Sequence, residues 1–207
     1  MKRWFGPAAA AALVLLSGCA GFFPATLSPT AKITLARPAG RGVVYLLRGG
    51  FNIFSTGMDD LAVELRAAGV DARSGGHAAW QETAAAARAR YAEDKTPIIL
   101  VGHSWGALAA GLIAMELEKS NTPVALMVLY DGTDSVKIPP NVRHVINFIS
   151  EPNIGNGYKA TGLPGFTGTI ENIPEPAYDH INIDNAEPLH RATIAAVLNV
   201  LKPLRRR

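Results

Sequence analysis

This chain of 207 residues contains one cysteine, Cys19, so it cannot form an internal disulfide. It has no glycine-rich dinucleotide fingerprint, no phosphate-binding loop and no cluster of residues at metal-ligand spacing. Its basic residues form no helical stripe and do not alternate with aromatic residues, so the common nucleic-acid-binding patterns are excluded. We therefore expect a protein that uses no metal and no organic cofactor and does not bind nucleic acid.

The first 18 residues have the composition of an export signal. Lys2 and Arg3 precede an apolar run, residues 8–16, that is too short to span a bilayer. The run ends in the four residues from Leu16 to Cys19, Leu-Ser-Gly-Cys, which resemble the lipobox of bacterial lipoproteins. In that family the cysteine is lipidated and becomes the first mature residue. The alternative is an ordinary secretory signal that is cleaved nearby.

The lipobox resemblance implies a membrane address. Several acyl chains, palmitate among them, on Cys19 would anchor the protein stably. In lipoproteins an aspartate after the cysteine favours the inner membrane. Here Ala20 follows it, which implies the periplasmic side of the outer membrane in a host that has one. Residues 19–41 contain prolines and little periodicity and are predicted to be a tether. Residues 42–204 are long enough for one compact domain.

The motif Gly102-His103-Ser104-Trp105-Gly106 has the form G-x-S-x-G. The apolar residues 97–101 before it predict a buried strand, and residues 107–119 after it predict a helix. A serine in a tight turn between a strand and a helix is typical of a nucleophile elbow, which exposes the serine hydroxyl at the end of the strand. We interpret Ser104 as a catalytic nucleophile; the alternative is a structural turn.

Apolar runs and helical patterns alternate along the rest of the chain. Strands are predicted over residues 42–47, 70–73, 97–101, 123–130 and 142–149, and helices over about 57–68, 77–91, 107–119 and 188–201. Strands that are continuous apolar runs separated by helices indicate a parallel sheet that helices cover on both faces.

With this order of elements and this serine motif, residues 42–201 resemble the α/β-hydrolase family. The resemblance implies an α/β fold with three layers, in which helices cover both faces of a mostly parallel sheet. The chain has no room for a large cap domain, so it resembles the minimal, cutinase-sized members. The family also implies that the nucleophile, the acid and the histidine base follow in that order along the chain.

Five histidines are candidates for the base. His103 adjoins the nucleophile in the elbow and should point away from it. His77 lies beside a tryptophan and is interpreted as packing or pocket lining, and His144 has no motif around it. His180 lies between the last predicted strand and the closing helix, where the family has its base. His190, within that helix, is the alternative. We predict His180.

The acid has two candidates. Asp131 follows the strand predicted over 123–130, and Glu151 follows the strand predicted over 142–149. The family most often uses the later strand, which favours Glu151, although some members use the earlier one. Asp131 ends its strand at the carboxyl edge of the sheet, where ligand sites collect, and aspartate is the usual acid of such triads. We choose Asp131, and Glu151 stays open.

A tetrahedral oxyanion needs two N–H donors. One is predicted to be the backbone amide of Trp105, directly after the nucleophile. The other is predicted in the loop from Arg48 to Asn52, which resembles the family's oxyanion loop but begins with Arg-Gly in place of His-Gly. The second donor stays open among Gly50, Phe51 and Asn52, and we favour Phe51. The alternative for the loop is a plain strand-ending turn.

The sequence thus predicts a membrane-anchored, extracytoplasmic serine hydrolase. Ser104 would cleave carboxylic esters or thioesters through an acyl-enzyme, in the manner of an esterase, lipase or thioesterase. Its substrate would be a small acyl ester or a lipid. The alternative is a lipoprotein that uses the hydrolase fold as a binding or structural module without turnover. The intact set of serine, histidine and carboxylate speaks against this alternative, and the unusual oxyanion loop leaves it open.

Overall fold

The computed structural model describes residues 42–50, 55–150 and 158–202. The strands are β1 (Val43–Arg48), β2 (Asp71–Gly76), β3 (Ile98–His103), β4 (Val124–Tyr130), β5 (Lys137–Ile138), β6 (His144–Ser150), β7 (Thr161–Gly162) and β8 (Thr169–Glu175). The α-helices are α1 (Gly57–Ala67), α2 (Trp80–Asp94), α3 (Trp105–Glu118) and α4 (Glu187–Leu201). Single 3-10 turns lie at His77–Ala79 and Ile183–Asn185.

Six strands form one parallel sheet in the order β2-β1-β3-β4-β6-β8. Because parallel strands all end at the same edge, the loops that follow β1, β3 and β4 meet there. The elbow strand β3 lies between β1 and β4, which places Ser104 near the middle of that edge. The short strands β5 and β7 pair separately.

The sheet separates two cores. Tyr45 and Leu47 of β1 point into the core under α2 and α3, whereas Val44 and Leu46 of the same strand point into the core under α1 and α4. All four side chains are fully buried, and each of the three aliphatic ones stabilises the fold by about 1.5–3 kcal/mol relative to exposure. Because both faces of the strand are buried, its sequence is a continuous apolar run. The prediction of a three-layer α/β fold is confirmed.

The prediction that the strand near residue 149 is the last of the sheet is wrong. β8 adds an edge strand that pairs with β6, from Thr169 opposite His144 to Glu175 opposite Ser150. The side chains of β8 are exposed or only half-buried. An edge strand needs no apolar run and tolerates a proline such as Pro174, so its sequence carries a weak strand signal.

None of the helices in the described ranges has the length and apolar character that a membrane span requires.

Candidate active site

Ser104 occupies a strained turn between β3 and α3. Its φ of 59° and ψ of −123° lie outside the regions that a residue with a side chain favours. The backbone on either side is too crowded for a Cβ. A Cβ on Gly102 would lie 2.2 Å from the carbonyl oxygen of Gly106, and one on Gly106 would lie 2.0 Å from that of Leu47. The two glycines of the motif therefore permit the turn that presents the serine.

The structure brings Ser104, His180 and Asp131 together in one hydrogen-bonded row. The His180 Nε2 lies 3.0 Å from the Ser104 Oγ, and the His180 Nδ1 lies 2.6 Å from the Asp131 Oδ2. Asp131 directly follows β4 and has a φ of 42°, a left-handed conformation that aspartate tolerates better than most residues. All three side chains are buried.

Ser150, the last residue of β6, holds the Asp131 carboxylate from the other side. The Ser150 backbone N–H donates to the Asp131 Oδ1 at 3.1 Å, and the Ser150 hydroxyl donates to the Asp131 Oδ2 at 2.7 Å. Burial alone would raise the pKa of Asp131, but the hydrogen bonds from His180 and Ser150 outweigh it and lower that pKa. An ionised Asp131 accepts the Nδ1 proton of His180, which leaves a lone pair on Nε2 facing Ser104.

His103 points away from Ser104, as predicted, and belongs to a second hydrogen-bond network. Its Nε2 lies 2.9 Å from the His180 carbonyl oxygen, and its Nδ1 lies 2.7 Å from the Ser55 Oγ. Since a carbonyl only accepts, Nε2 carries the proton and the Ser55 hydroxyl donates to Nδ1. The Ser55 Oγ in turn accepts the Gly49 N–H at 2.9 Å. The pKa of His103 is lowered to about 4, mainly by burial and secondly by the neighbouring His180. This low pKa favours the neutral form of His103.

Asp184 is fully buried behind this network. Its Oδ2 accepts the Gly57 N–H at 3.1 Å and lies 3.9 Å from the Nδ1 of His103. Burial raises the pKa of Asp184 to about 6, although the hydrogen bond from Gly57 opposes the change. His190 donates from Nε2 to the Asp184 carbonyl oxygen at 2.7 Å, and its Nδ1 lies 3.2 Å from Glu64. Thus His190 joins the closing helix to this buried cluster, away from Ser104.

The raised pKa of Asp184 predicts a pH-dependent effect of Asp184→Asn on stability. The pKa rises from an ordinary value of 3.8 to about 6 on folding, so the protonated carboxyl favours the folded chain below about pH 4. That contribution is lost as the pH rises through 6. Asparagine stays neutral throughout. The free energy of unfolding of the variant, relative to the native chain, should therefore increase by about 2 kcal/mol between pH 4 and pH 7.

Urea unfolding curves of both proteins at the two pH values measure this difference. The matched control is Asp60→Asn, which removes an exposed carboxylate from the first turn of α1. Comparison with this control isolates the part of the pH-dependent change that is specific to the buried carboxyl. A constant difference between Asp184→Asn and the native chain would show that Asp184 has an ordinary pKa in the folded protein.

The predicted oxyanion donors are only partly within the described ranges. Trp105 is the first residue of α3, where backbone amides point out along the helix axis and the helix dipole attracts negative charge. Arg48 forms an ion pair with Asp59 of α1 at 2.7 Å, which holds the start of the loop against that helix. Phe51 and Asn52 lie outside the described residues.

The remaining sequence expectations concern residues outside the hydrogen-bonded row or outside the described ranges. His77 donates from Nδ1 to the Gly49 carbonyl oxygen, 2.9 Å away, and His144 faces Glu171 across β6 and β8. The alternative acid, Glu151, and the predicted lipidation site, Cys19, both lie outside the described residues. Among the described residues, no three His, Cys, Asp or Glu side chains are grouped as a metal site would require.

Sequence reasoning did not identify Ser150, Ser55 or Asp184. Each is a common residue type without a motif, and each acts on a partner that is distant in the chain: Ser150 is 19 residues from Asp131, and Ser55 is 48 residues from His103. The available signal for Ser150 was its place at the end of a strand next to the strand that carries Asp131.

Comparison with known proteins identifies the family. The model of the alpha/beta hydrolase family matches residues 13–206. This chain belongs to the α/β-hydrolase family. The predicted family resemblance and the predicted fold are therefore confirmed. Among curated proteins, no sequence matches the chain.

Several solved structures are similar to this α/β-hydrolase at low sequence identity. TT1662 from Thermus thermophilus has a TM-score of 0.55 and 12% identity, and the match covers 82% of this chain and 92% of that one. The hyperthermophilic esterase from the archaeon Pyrobaculum calidifontis has a TM-score of 0.52, 13% identity, and coverages of 80% and 78%. Est1E from Butyrivibrio proteoclasticus has a TM-score of 0.52, 11% identity, and coverages of 79% and 89%. These likenesses support the fold.

Proposed function

We propose that this α/β-hydrolase is a serine hydrolase that cleaves carboxylic esters or thioesters through an acyl-enzyme. The observation that carries the proposal is the row of hydrogen bonds from Ser104 through His180 to Asp131, at 3.0 Å and 2.6 Å. A serine hydroxyl is a weak nucleophile unless a base takes its proton, and the base must be held in the correct tautomer. This row provides the nucleophile, the base and the group that orients the base.

Each side chain has one role in the proposed reaction. The Ser104 Oγ attacks the carbonyl carbon while the Nε2 of His180 takes the hydroxyl proton. His180 then gives that proton to the departing alcohol or thiol, and an acyl-serine remains. Water attacks the acyl-serine, His180 takes a proton from the water, and the acid is released as the proton returns to Ser104. The Asp131 carboxylate stabilises the imidazolium that forms in both steps.

The oxyanion is proposed to accept hydrogen bonds from the Trp105 amide and from an amide of the loop after β1. The Gly49 N–H already donates to Ser55, so the second donor comes from residues 50–52. Phe51 is the donor that we favour. Since the oxyanion forms at the N-terminus of α3, the helix dipole adds to its stabilisation.

The proposed substrate is a small acyl ester or a lipid. The structurally similar protein from Pyrobaculum calidifontis is named an esterase, which is the reaction class that we propose here.

The fluorophosphonate reaction tests the proposed activity. A fluorophosphonate phosphonylates a serine that a neighbouring base has activated, with loss of fluoride. We expect the purified protein without its signal segment to take one label per chain, on Ser104, as intact and peptide mass spectrometry would show. Ser104→Ala is expected to take none. Ser120→Ala, which removes an exposed serine in the turn after α3, is the matched control and should be labelled like the native chain.

Absence of label on the folded native protein would exclude the hydrolase proposal. The alternative would then apply, that the chain uses the fold as a binding or structural module. Label on a serine other than Ser104 would contradict the assignment of the nucleophile.

We also propose that lipidated Cys19 anchors the enzyme to the membrane, on the periplasmic side of the outer membrane in a host that has one. The support is the Leu-Ser-Gly-Cys sequence after a short apolar run. Cells that express the full chain in the presence of radiolabelled palmitate should incorporate label into the protein and retain it in the membrane fraction. Cys19→Ser should abolish both results. Equal labelling of the two chains would contradict the anchor.

A further inference from the structure

An open apolar groove lies beside the elbow, on the face of the sheet that α2 and α3 cover. Its volume is about 400 Å³. The side chains that line it are mostly aliphatic or aromatic: His77, Ala78, Trp80, Trp105, Leu108, Ala109 and Leu112. A groove of this size and composition fits a small apolar group.

One face of α3 forms the floor of the groove. Trp105, Leu108, Ala109 and Leu112 are spaced by three, one and three residues, which places them on the same side of the helix. Over these seven residues the helix rises about 10 Å. Trp105 and Leu112 are 44% and 40% exposed, and among the described residues Val63 and Ile181 are the other exposed large apolar side chains. The apolar strip is thus continuous from the elbow to the second turn of α3.

The groove is joined to the oxyanion loop. Trp105 directly follows Ser104, and its ring lies next to Gly50, where a Cβ would be 3.8 Å from the ring. The ring of His77 packs edge-on against Trp105 at a centroid distance of 5.2 Å. The Nδ1 of His77 is 2.9 Å from the Gly49 carbonyl oxygen. The near wall of the groove is therefore fixed to the loop that would hold the substrate carbonyl.

The base reaches Ser104 from the opposite face of the sheet. The His180 carbonyl is held by His103, and the segment that follows His180 packs on α1 and α4. The departing alcohol or thiol must lie next to the Nε2 of His180, because that atom protonates it. The leaving group is thus on the side of α1 and α4, and the acyl group is directed toward α2 and α3.

We propose that this groove binds the acyl chain of the substrate and that the enzyme prefers acyl chains of medium length. The proposal rests on the proposed serine hydrolase activity and adds the substrate class. A strip of about 10 Å accommodates an extended chain of about six to ten carbons. The groove is open along one side, so each methylene is partly buried and should raise kcat/KM about twofold.

Two series of esters test the proposal on the native enzyme. In the first, p-nitrophenyl esters range from acetate to dodecanoate, so the leaving group is constant. We expect kcat/KM to be about sixtyfold higher for octanoate than for acetate and to stop rising beyond about ten carbons. In the second, 4-alkylphenyl acetates keep the acyl group and lengthen the leaving group. We expect kcat/KM to change little across this series.

Leu112→Gln places an amide at the far end of the groove. It should lower the octanoate-to-acetate ratio of kcat/KM about fivefold, and Leu112→Met should restore the ratio. The matched control is Val63→Gln, since Val63 is 50% exposed on α1, which covers the opposite face of the sheet. This control should keep the native ratio, and thermal unfolding of all variants shows that each is folded.

The outcomes separate this proposal from the proposed function. In one outcome the enzyme takes fluorophosphonate label and hydrolyses the acetate without preferring longer acyl chains, and in another Leu112→Gln keeps the native ratio. Either result would show that the groove does not bind the acyl chain, and the serine hydrolase proposal would stand. If chain-length preference appears in the 4-alkylphenyl series and Leu112→Gln removes it there, the groove binds the leaving group. If no label is taken up, both proposals fail.

Discussion

His180→Ala is expected to lower kcat for a p-nitrophenyl ester by about a millionfold, because loss of the base from a serine triad costs nearly the whole contribution of the triad. The Nε2 of His180 lies 3.0 Å from the Ser104 Oγ, and among the described histidines it is the ring that contacts this hydroxyl. Without it the serine proton has no acceptor, and the leaving group has no proton donor. Both the acylation step and the deacylation step therefore lose their acid–base catalyst.

The measurement is single-turnover and steady-state hydrolysis of p-nitrophenyl octanoate, with circular dichroism to show that the variant is folded. The matched control is His144→Ala, which removes a partly exposed histidine at the start of β6. The control should hydrolyse the ester at close to the native rate. If folded His180→Ala keeps more than about a hundredth of native kcat, His180 is not the base.

Asp131→Asn is expected to lower kcat about ten-thousandfold while leaving the fold intact. The Ser150 backbone N–H donates to the Asp131 Oδ1, so the single carbonyl oxygen of asparagine should occupy that position. Its NH2 group then replaces Oδ2 and donates to the Nδ1 of His180, 2.6 Å away. His180 would carry its proton on Nε2 and could not accept the proton of Ser104. The variant traps the base in the wrong tautomer.

Glu151→Gln is the comparison that decides between the two acids left open by the sequence. It should keep kcat within severalfold of the native value, whereas Asp131→Asn should not. Near-native activity in Asp131→Asn together with a large loss in Glu151→Gln would assign the acid to Glu151. Fluorophosphonate labelling rates of the two variants give the same comparison for the acylation step alone.

Much of the fold follows from patterns that are local in the chain. The apolar run and the helix on either side of Gly102 and Gly106 predicted β3, the elbow and α3, because the strand, the turn and the helix are each specified by neighbouring residues. The edge strand β8 could not be found in this way. It is only half-buried, so its sequence needs no apolar run, and its strand geometry comes from pairing with β6.

The contacts that would support catalysis depend on residues that are far apart in the chain. Asp131 and His180 are 49 residues apart, and His180 and Ser104 are 76 residues apart. The family order of nucleophile, acid and base named these three residues, but it could not measure a distance between them. The order of strands in the sheet brings Ser104 and Asp131 together, because β3 and β4 are adjacent and parallel and therefore end side by side.

By itself, the sequence determined the alternation of strands and helices, the position of the elbow and the chain order of the candidate residues, because each of these depends on local periodicity and on backbone sterics at a few glycines. Only the tertiary structure decided that Ser150 holds Asp131, that His103 and Ser55 connect Gly49 to the base, and that an apolar groove adjoins Trp105. These features depend on which strands are neighbours in the sheet and on which face each helix packs, and the burial that selects such an arrangement is non-directional and shared by the whole core.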